Sequence, residues 1–125
     1  MLSEKDCLAT VSVKDLNTAK RFYEGTLGMK PVANQGDEAI TYRSGTAKLI
    51  VYRSQYAGTN KATAVNWIVG PEIENIVRDL KQKGVAFEHY DLPGLKRDGD
   101  IHSAGDFKTV WFKDPDGNIL SLVTG

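Results

Sequence analysis

The sequence predicts an α+β fold: two β-α-β-β-β modules whose strands form a curved mixed sheet, a cup with the helices outside. Three observations carry this. Short β-rich runs alternate with period two. Two helical apolar stripes each follow a first strand and each end at glycine. The same order of elements recurs at a spacing of about 56 residues, Val69 falling on Val13 and Gly84 on Gly28. A single such module leaves one sheet face open, and two together make a concave apolar surface of the kind that takes small ligands.

The first module spans about 8–53. Leu8 to Val13 is a strand with Val11 and Val13 on one face and Leu8, Thr10 and Ser12 on the other. Asp15 is a helix N-cap, Leu16, Ala19, Phe22 and Tyr23 form the apolar stripe, and Gly25 and Gly28 end it. Strands follow from Met29 to Ala33, Ala39 to Arg43 and Lys48 to Arg53, joined by the turns Asn34-Gln35-Gly36-Asp37 and Ser44-Gly45-Thr46. Residues 54–63 are polar and aperiodic, a linker within one domain of 1–125.

The second module spans about 64–124. Ala64 to Val69 is a strand, and Pro71 suits the first turn of a helix. Ile73, Ile76, Val77 and Leu80 are its stripe, and Gly84 its stop. Val85 to Tyr90 is a strand, Leu92 to Asp106 a long polar loop, and Phe107 to Lys113 a strand. Asp114-Pro115-Asp116-Gly117 is a turn, and Asn118 to Val123 the last strand. Gly94, Gly99 and Gly105 are expected as flexible points in a lid over the cup. A disordered surface loop is the alternative.

Length and composition set limits. A chain of 125 residues, 41% hydrophobic and 26% charged, forms a core without staples. Lys+Arg and Asp+Glu are equal at 16 each, which argues against a nucleic-acid or anionic-membrane binder. Cys7 is the single cysteine, so no internal disulfide forms, and a reducing cytoplasm is expected. The N-terminal residues carry no signal-like apolar run.

Val13-Lys14-Asp15-Leu16, Ala19-Lys20-Arg21-Phe22-Tyr23 and Thr26-Leu27-Gly28-Met29, with Val110-Trp111-Phe112 and Asp114-Pro115-Asp116-Gly117-Asn118, resemble the vicinal oxygen chelate superfamily. That superfamily holds glyoxalases, bleomycin-resistance proteins and extradiol dioxygenases, and the resemblance runs from about residue 8 to 123. It implies a homodimer and, in enzymes, a divalent metal held by His, Glu or Gln. The corresponding positions here are Leu8, Ala64 or Val65, and Ser121, with Ile50 or Val51 where a fourth ligand is used. Aliphatic groups offer no lone pair and a neutral hydroxyl is a weak ligand. No metal and no cofactor are therefore expected.

Candidate ligand-binding residues are Leu8, Thr10, Ser12, Tyr52, Asn66, Trp67, Tyr90, Trp111 and Ser121. Trp67, Trp111 and Tyr52 are read two ways, as packing residues or as stacking surfaces for a planar ligand. Asn66 and Trp67 must face opposite ways. His89, Asp91 and His102 are the catalytic candidates, His89 and Asp91 sharing a strand face on which a His–Asp pair could move protons. The expected function is binding of a small aromatic molecule without the metal site. One alternative is an enzyme (lyase, isomerase or dioxygenase) with unconventional or no metal ligands. The other is an interaction module whose cup is filled by its own side chains.

Overall fold

The structure, a computed structural model, describes residues 1–125. It divides into two compact units, Met1–Thr59 and Asn60–Gly125.

In the first unit, a 3-10 turn at Leu2–Glu4 precedes β1 (Ala9–Val13), α1 (Leu16–Lys20), β2 (Lys30–Gln35), β3 (Ala39–Ser44) and β4 (Ala47–Arg53). The sheet order is β1-β4-β3-β2, with β1 parallel to β4 and the other pairs antiparallel. Period-two alternation sets its faces. Val11, Val51 and Ile40 pair across three strands and are fully or almost fully buried, as are Val13, Leu49 and Tyr42. The opposite face carries two cross-strand rows, Thr10–Ile50–Thr41 and Ser12–Tyr52–Ala39. Asp15 caps α1, its Oδ2 accepting from the Thr18 amide at 3.0 Å and the Thr18 hydroxyl at 2.7 Å.

After Lys20 the helix widens into a π-turn over Arg21–Thr26, closed by Leu27 N–H to Phe22 C=O at 2.9 Å. In an α-turn adjacent side chains diverge by about 100°. The wider turn lets neighbouring Tyr23 and Glu24 both address Tyr42. The Tyr23 ring stacks on that of Tyr42 at 6.2 Å, and the Tyr42 hydroxyl donates to Glu24 Oε2 at 2.8 Å. Burial, then the Glu24 carboxylate, pushes the Tyr42 hydroxyl well above its ordinary pKa, so it stays a donor. Tyr42→Phe is expected to lower stability by about 1–2 kcal/mol in urea unfolding, because Glu24 remains able to hydrate. An unchanged midpoint would show that this bond contributes nothing net.

The second unit contains β5 (Thr63–Ile68), a 3-10 turn (Gly70–Glu72) leading into α2 (Ile73–Gln82), and then β6 (Phe87–Glu88), β7 (Lys96–Asp98), β8 (Ile101–Ala104), β9 (Phe107–Lys113) and β10 (Ile119–Val123). The sheet runs β5-β10-β9-β8-β7, and β6 also pairs with β9. β5 is parallel to β10, and the remaining pairs are antiparallel. Ile73, Val77 and Leu80 form the buried stripe of α2. Gly84, at φ +93°, ends the helix in a conformation that side-chain-bearing residues avoid. The core face of the sheet holds Val110, Phe112, Leu120 and Leu122. Lys108, of the same parity, reaches Glu74 of α2 at 2.7 Å, which places the helix on that face.

The expected long loop at 92–106 is corrected by the structure. It holds the β7–β8 hairpin, and β8 is hydrogen-bonded to β9, so the segment is part of the sheet. Gly99 and Gly105 sit at φ +62° and +61°, where tight turns need glycine. They are turn residues rather than hinges of a free loop. The Asp114–Asn118 turn follows expectation: Asp114 is buried, and its Oδ1 accepts from the amides of Asp116 (3.0 Å) and Asn118 (2.9 Å). Its Oδ2 accepts from the Asn118 side chain at 2.8 Å.

Candidate functional site

The face of the second sheet opposite α2 concentrates the polar and aromatic residues. Asn66 of β5, Ser121 of β10 and Trp111 of β9 lie in one cross-strand row, continued by Glu88 of β6. Thr109, two residues before Trp111, is opposite His102 of β8. Its hydroxyl meets that of Ser121 at 3.1 Å, and both are buried. Trp111 is half-buried, and its indole N–H donates to Thr63 Oγ1 at 3.2 Å.

Three rings close together beside this row. Trp111 is edge-to-face with Tyr90 at 5.2 Å and with His102 at 4.9 Å, while Tyr90 and His102 lie 6.5 Å apart. Such edge-to-face pairs suit the ring quadrupoles. Burial, then Glu88, raises the Tyr90 phenol above its ordinary pKa, so it remains a hydroxyl able to donate. The arrangement offers a half-open indole face, a phenol, an exposed amide at Asn66 and a buried pair of hydroxyls.

The sequence-derived candidates are sorted by these positions. Asn66, Tyr90, Trp111 and Ser121 come together. Trp67 does not: it pairs with Leu122 and lies on the α2 side of the sheet, away from that group. Thr10, Ser12 and Tyr52 share the open face of the first unit, and Leu8 is exposed just before β1. The expected His89–Asp91 pair is replaced by another. His89 Nε2 is 2.8 Å from Asp100 Oδ1, and Lys81 Nζ is 2.8 Å from Asp100 Oδ2. Strand β6 ends at Glu88, so strand parity no longer governs residues 89–91.

Hydrogen bonding to Lys81 and then to His89 holds the Asp100 carboxyl below its usual range. A depressed folded-state pKa stabilises the fold above the unfolded value, near pH 4, and that contribution is lost as pH falls below it. Asp100→Asn is therefore expected to flatten the acid limb of a stability–pH curve below about pH 4. An unaltered acid limb would remove Asp100 as its source.

Thr63, Thr109 and Asp100 escaped the sequence reading. Thr109 is in phase with Trp111 in Phe107–Lys113, a signal that was present. Asp100 depends on the unforeseen hairpin, and no local pattern marks it. Two surface hollows lie elsewhere, one of about 480 Å³ bounded by Lys14, Glu38, Arg53, Ser54 and Gln55, the other of about 470 Å³ beside Glu74 and Lys108.

The glyoxalase/bleomycin resistance protein/dioxygenase superfamily profile matches residues 8–122. The chain belongs to that superfamily. Among solved structures, its fold is similar to an integron cassette protein from the Halifax Harbour sewage outfall metagenome. The TM-score is 0.72 at 18% identity, covering 94% of this chain and 96% of that one. It is also similar to lactoylglutathione lyase from Agrobacterium tumefaciens, at TM-score 0.69 and 14% identity, covering 94% and 91%. A FosX fosfomycin resistance protein from Listeria monocytogenes, a variant solved with Mn(II) and 1S,2S-dihydroxypropylphosphonic acid, gives TM-score 0.71 at 16% identity, covering 100% and 92%. Among curated sequences, virulence protein STM3117 of Salmonella typhimurium is 24% identical over 120 residues, 90% of this chain and 78% of that protein. At these identities the structural likenesses establish the fold alone.

The metal positions implied by the superfamily resemblance do not fit a divalent cation. Leu8 and Ala64 are exposed hydrocarbons, Val65 is half-buried, and the Ser121 hydroxyl is engaged by Thr109. No group of three His, Cys, Asp or Glu side chains converges as metal ligands do.

Proposed function

We propose that this superfamily member binds a small aromatic molecule on the open face of its second sheet, without reacting it and without the metal of its enzyme relatives. The observation that carries this reading is the row Asn66–Ser121–Trp111 with Tyr90 beside it. Where the resemblance implies a Glu ligand, the chain has a hydroxyl bonded to another hydroxyl. An indole face beside the Asn66 amide and the Ser121 and Tyr90 hydroxyls, with Glu88 on its other side ion-paired to Lys113 at 3.6 Å, suits a planar, uncharged or weakly polar ligand. Thr10, Ser12 and Tyr52 form a comparable hydroxyl-bearing face on the first sheet.

The remaining features accord with a binding protein. β1 and β5 each end a sheet, and edge strands are commonly covered by a second subunit, which supports a homodimer. Balanced charge supports neither nucleic acid nor membrane as partner. No helix is long and apolar enough to cross a membrane. The single cysteine suits the cytoplasm.

The test is Trp111 emission in a Trp67→Phe background, titrated with a panel of planar aromatic compounds. Saturable change that Asn66→Ala weakens is expected. No saturable response across the panel would remove the open face as a site. A second reading, catalysis without the standard metal, has one observation behind it: Asp100 orients the His89 ring. If His89→Ala abolished turnover of a compound the protein converts, that reading would replace the first.

A further inference from the structure

Of all buried side-chain nitrogen and oxygen atoms in the chain, one has no hydrogen-bond partner: Nδ1 of His102. Native proteins rarely leave such an atom unpaired, and an exception calls for a physical cause. His102 is 1% exposed, so bulk water does not satisfy it.

The other ring nitrogen is unusually well provided for. Nε2 is 3.0 Å from the backbone nitrogen of Tyr90 and 3.1 Å from its carbonyl oxygen. A neutral imidazole carries its proton on one nitrogen and a lone pair on the other. With the proton on Nδ1, Nε2 accepts from the Tyr90 N–H. With the proton on Nε2, it donates to the Tyr90 C=O. Either tautomer keeps a backbone partner, so the fold does not choose between them. Nδ1 is thus a donor in one form and an acceptor in the other, and it is unanswered in both.

We propose that His102 Nδ1 is a concealed hydrogen-bonding site for the polar edge of a small aromatic ligand, its tautomer set by that ligand. The proposal rests on the open-face reading above and adds an atom and a chemical class to it. The rings of Trp111, Tyr90 and His89 lie around His102 at 4.9, 6.5 and 6.5 Å, so a ligand reaches Nδ1 by displacing one of them. Tyr90 is the one to move, because the Trp111 indole is tethered to Thr63 and the His89 ring to Asp100, and Trp111 is the face on which the ligand stacks. A planar molecule of similar size replaces the lost ring contact. A hydroxyl or azole nitrogen on its edge supplies the missing partner, and a phenol, being both donor and acceptor, suits either tautomer.

The experiment uses the whole chain with ¹⁵N-labelled histidine and indole. Long-range proton–nitrogen spectra report the tautomer of each ring, and His89→Gln assigns the two histidines. Phenol and toluene are the probes, the second matching the first in shape without its hydroxyl. Free protein is expected to show His102 exchanging between tautomers. Phenol should shift the Nδ1 resonance and the Trp111 indole N–H together. Toluene should move the indole N–H alone. If phenol moves the indole N–H and leaves Nδ1 unchanged, the proposal fails while the open-face site stands. If neither probe moves the indole N–H, the open-face reading fails and takes the proposal with it. A single fixed tautomer in the free protein, insensitive to phenol, also overturns it.

Discussion

Phe112→Ala is expected to destabilise the second unit by about 3–5 kcal/mol, the range for truncating a buried phenylalanine. Phe112 is fully buried, flanked by Leu120 of β10 and Phe87 of β6, and it meets the Phe87 ring edge-on at 5.7 Å. Truncation removes the side chain that joins three strands on the core face. Stability of most domains is only about 5–15 kcal/mol, so the loss approaches the whole of a weak one. Urea unfolding measures it. Phe107→Ala, at the far end of the same strand and 39% exposed, is the control. It should cost distinctly less, because about two-fifths of its surface stays in water on folding while Phe112 is fully buried. Equal losses at the two positions would contradict the assignment of the core face.

Trp111→Ala should weaken binding of a planar aromatic ligand about thirtyfold. Covering roughly 80 Å² of indole at about 25 cal/mol per Å² contributes about 2 kcal/mol, and every 1.4 kcal/mol is tenfold in Kd. Trp67→Phe should change Kd by less than about threefold, since Trp67 lies on the opposite face with Leu122. Calorimetric titration of the same ligand into both variants is the measurement. A larger loss at Trp67 than at Trp111 would place the ligand on the other side of the sheet.

Much of this was legible in the residues. Alternation in Leu8–Val13 placed Val11 and Val13 in the core and Thr10 and Ser12 opposite, as burial and register show. The α2 stripe and its Gly84 stop follow from helical spacing, and the Asp114–Asn118 turn from residues whose side chains bond their own backbone. The β7–β8 hairpin was hidden for a physical reason. Lys96–Asp98 is charged and wholly exposed, and β8 is four residues long. Its pairing depends on the neighbouring β9, which local composition does not report. The histidine contacts were hidden with it. His89–Asp100 and His102–Tyr90 join residues 11 and 12 apart across that hairpin. The parity of Ala64–Val69, ambiguous in the sequence, is set by pairing with β10, where a register shift between Ile119 and Leu120 intervenes.

The proposed use of the superfamily fold is to bind an organic molecule without a divalent metal. Native mass spectrometry of the purified, untagged protein tests it most directly, read for mass per chain. A dimer with no metal and a retained organic adduct that Trp111→Ala loses is the expected result. One divalent ion per chain, surviving dialysis, would contradict it and return His89, Asp91 and His102 to consideration as ligands of a working enzyme.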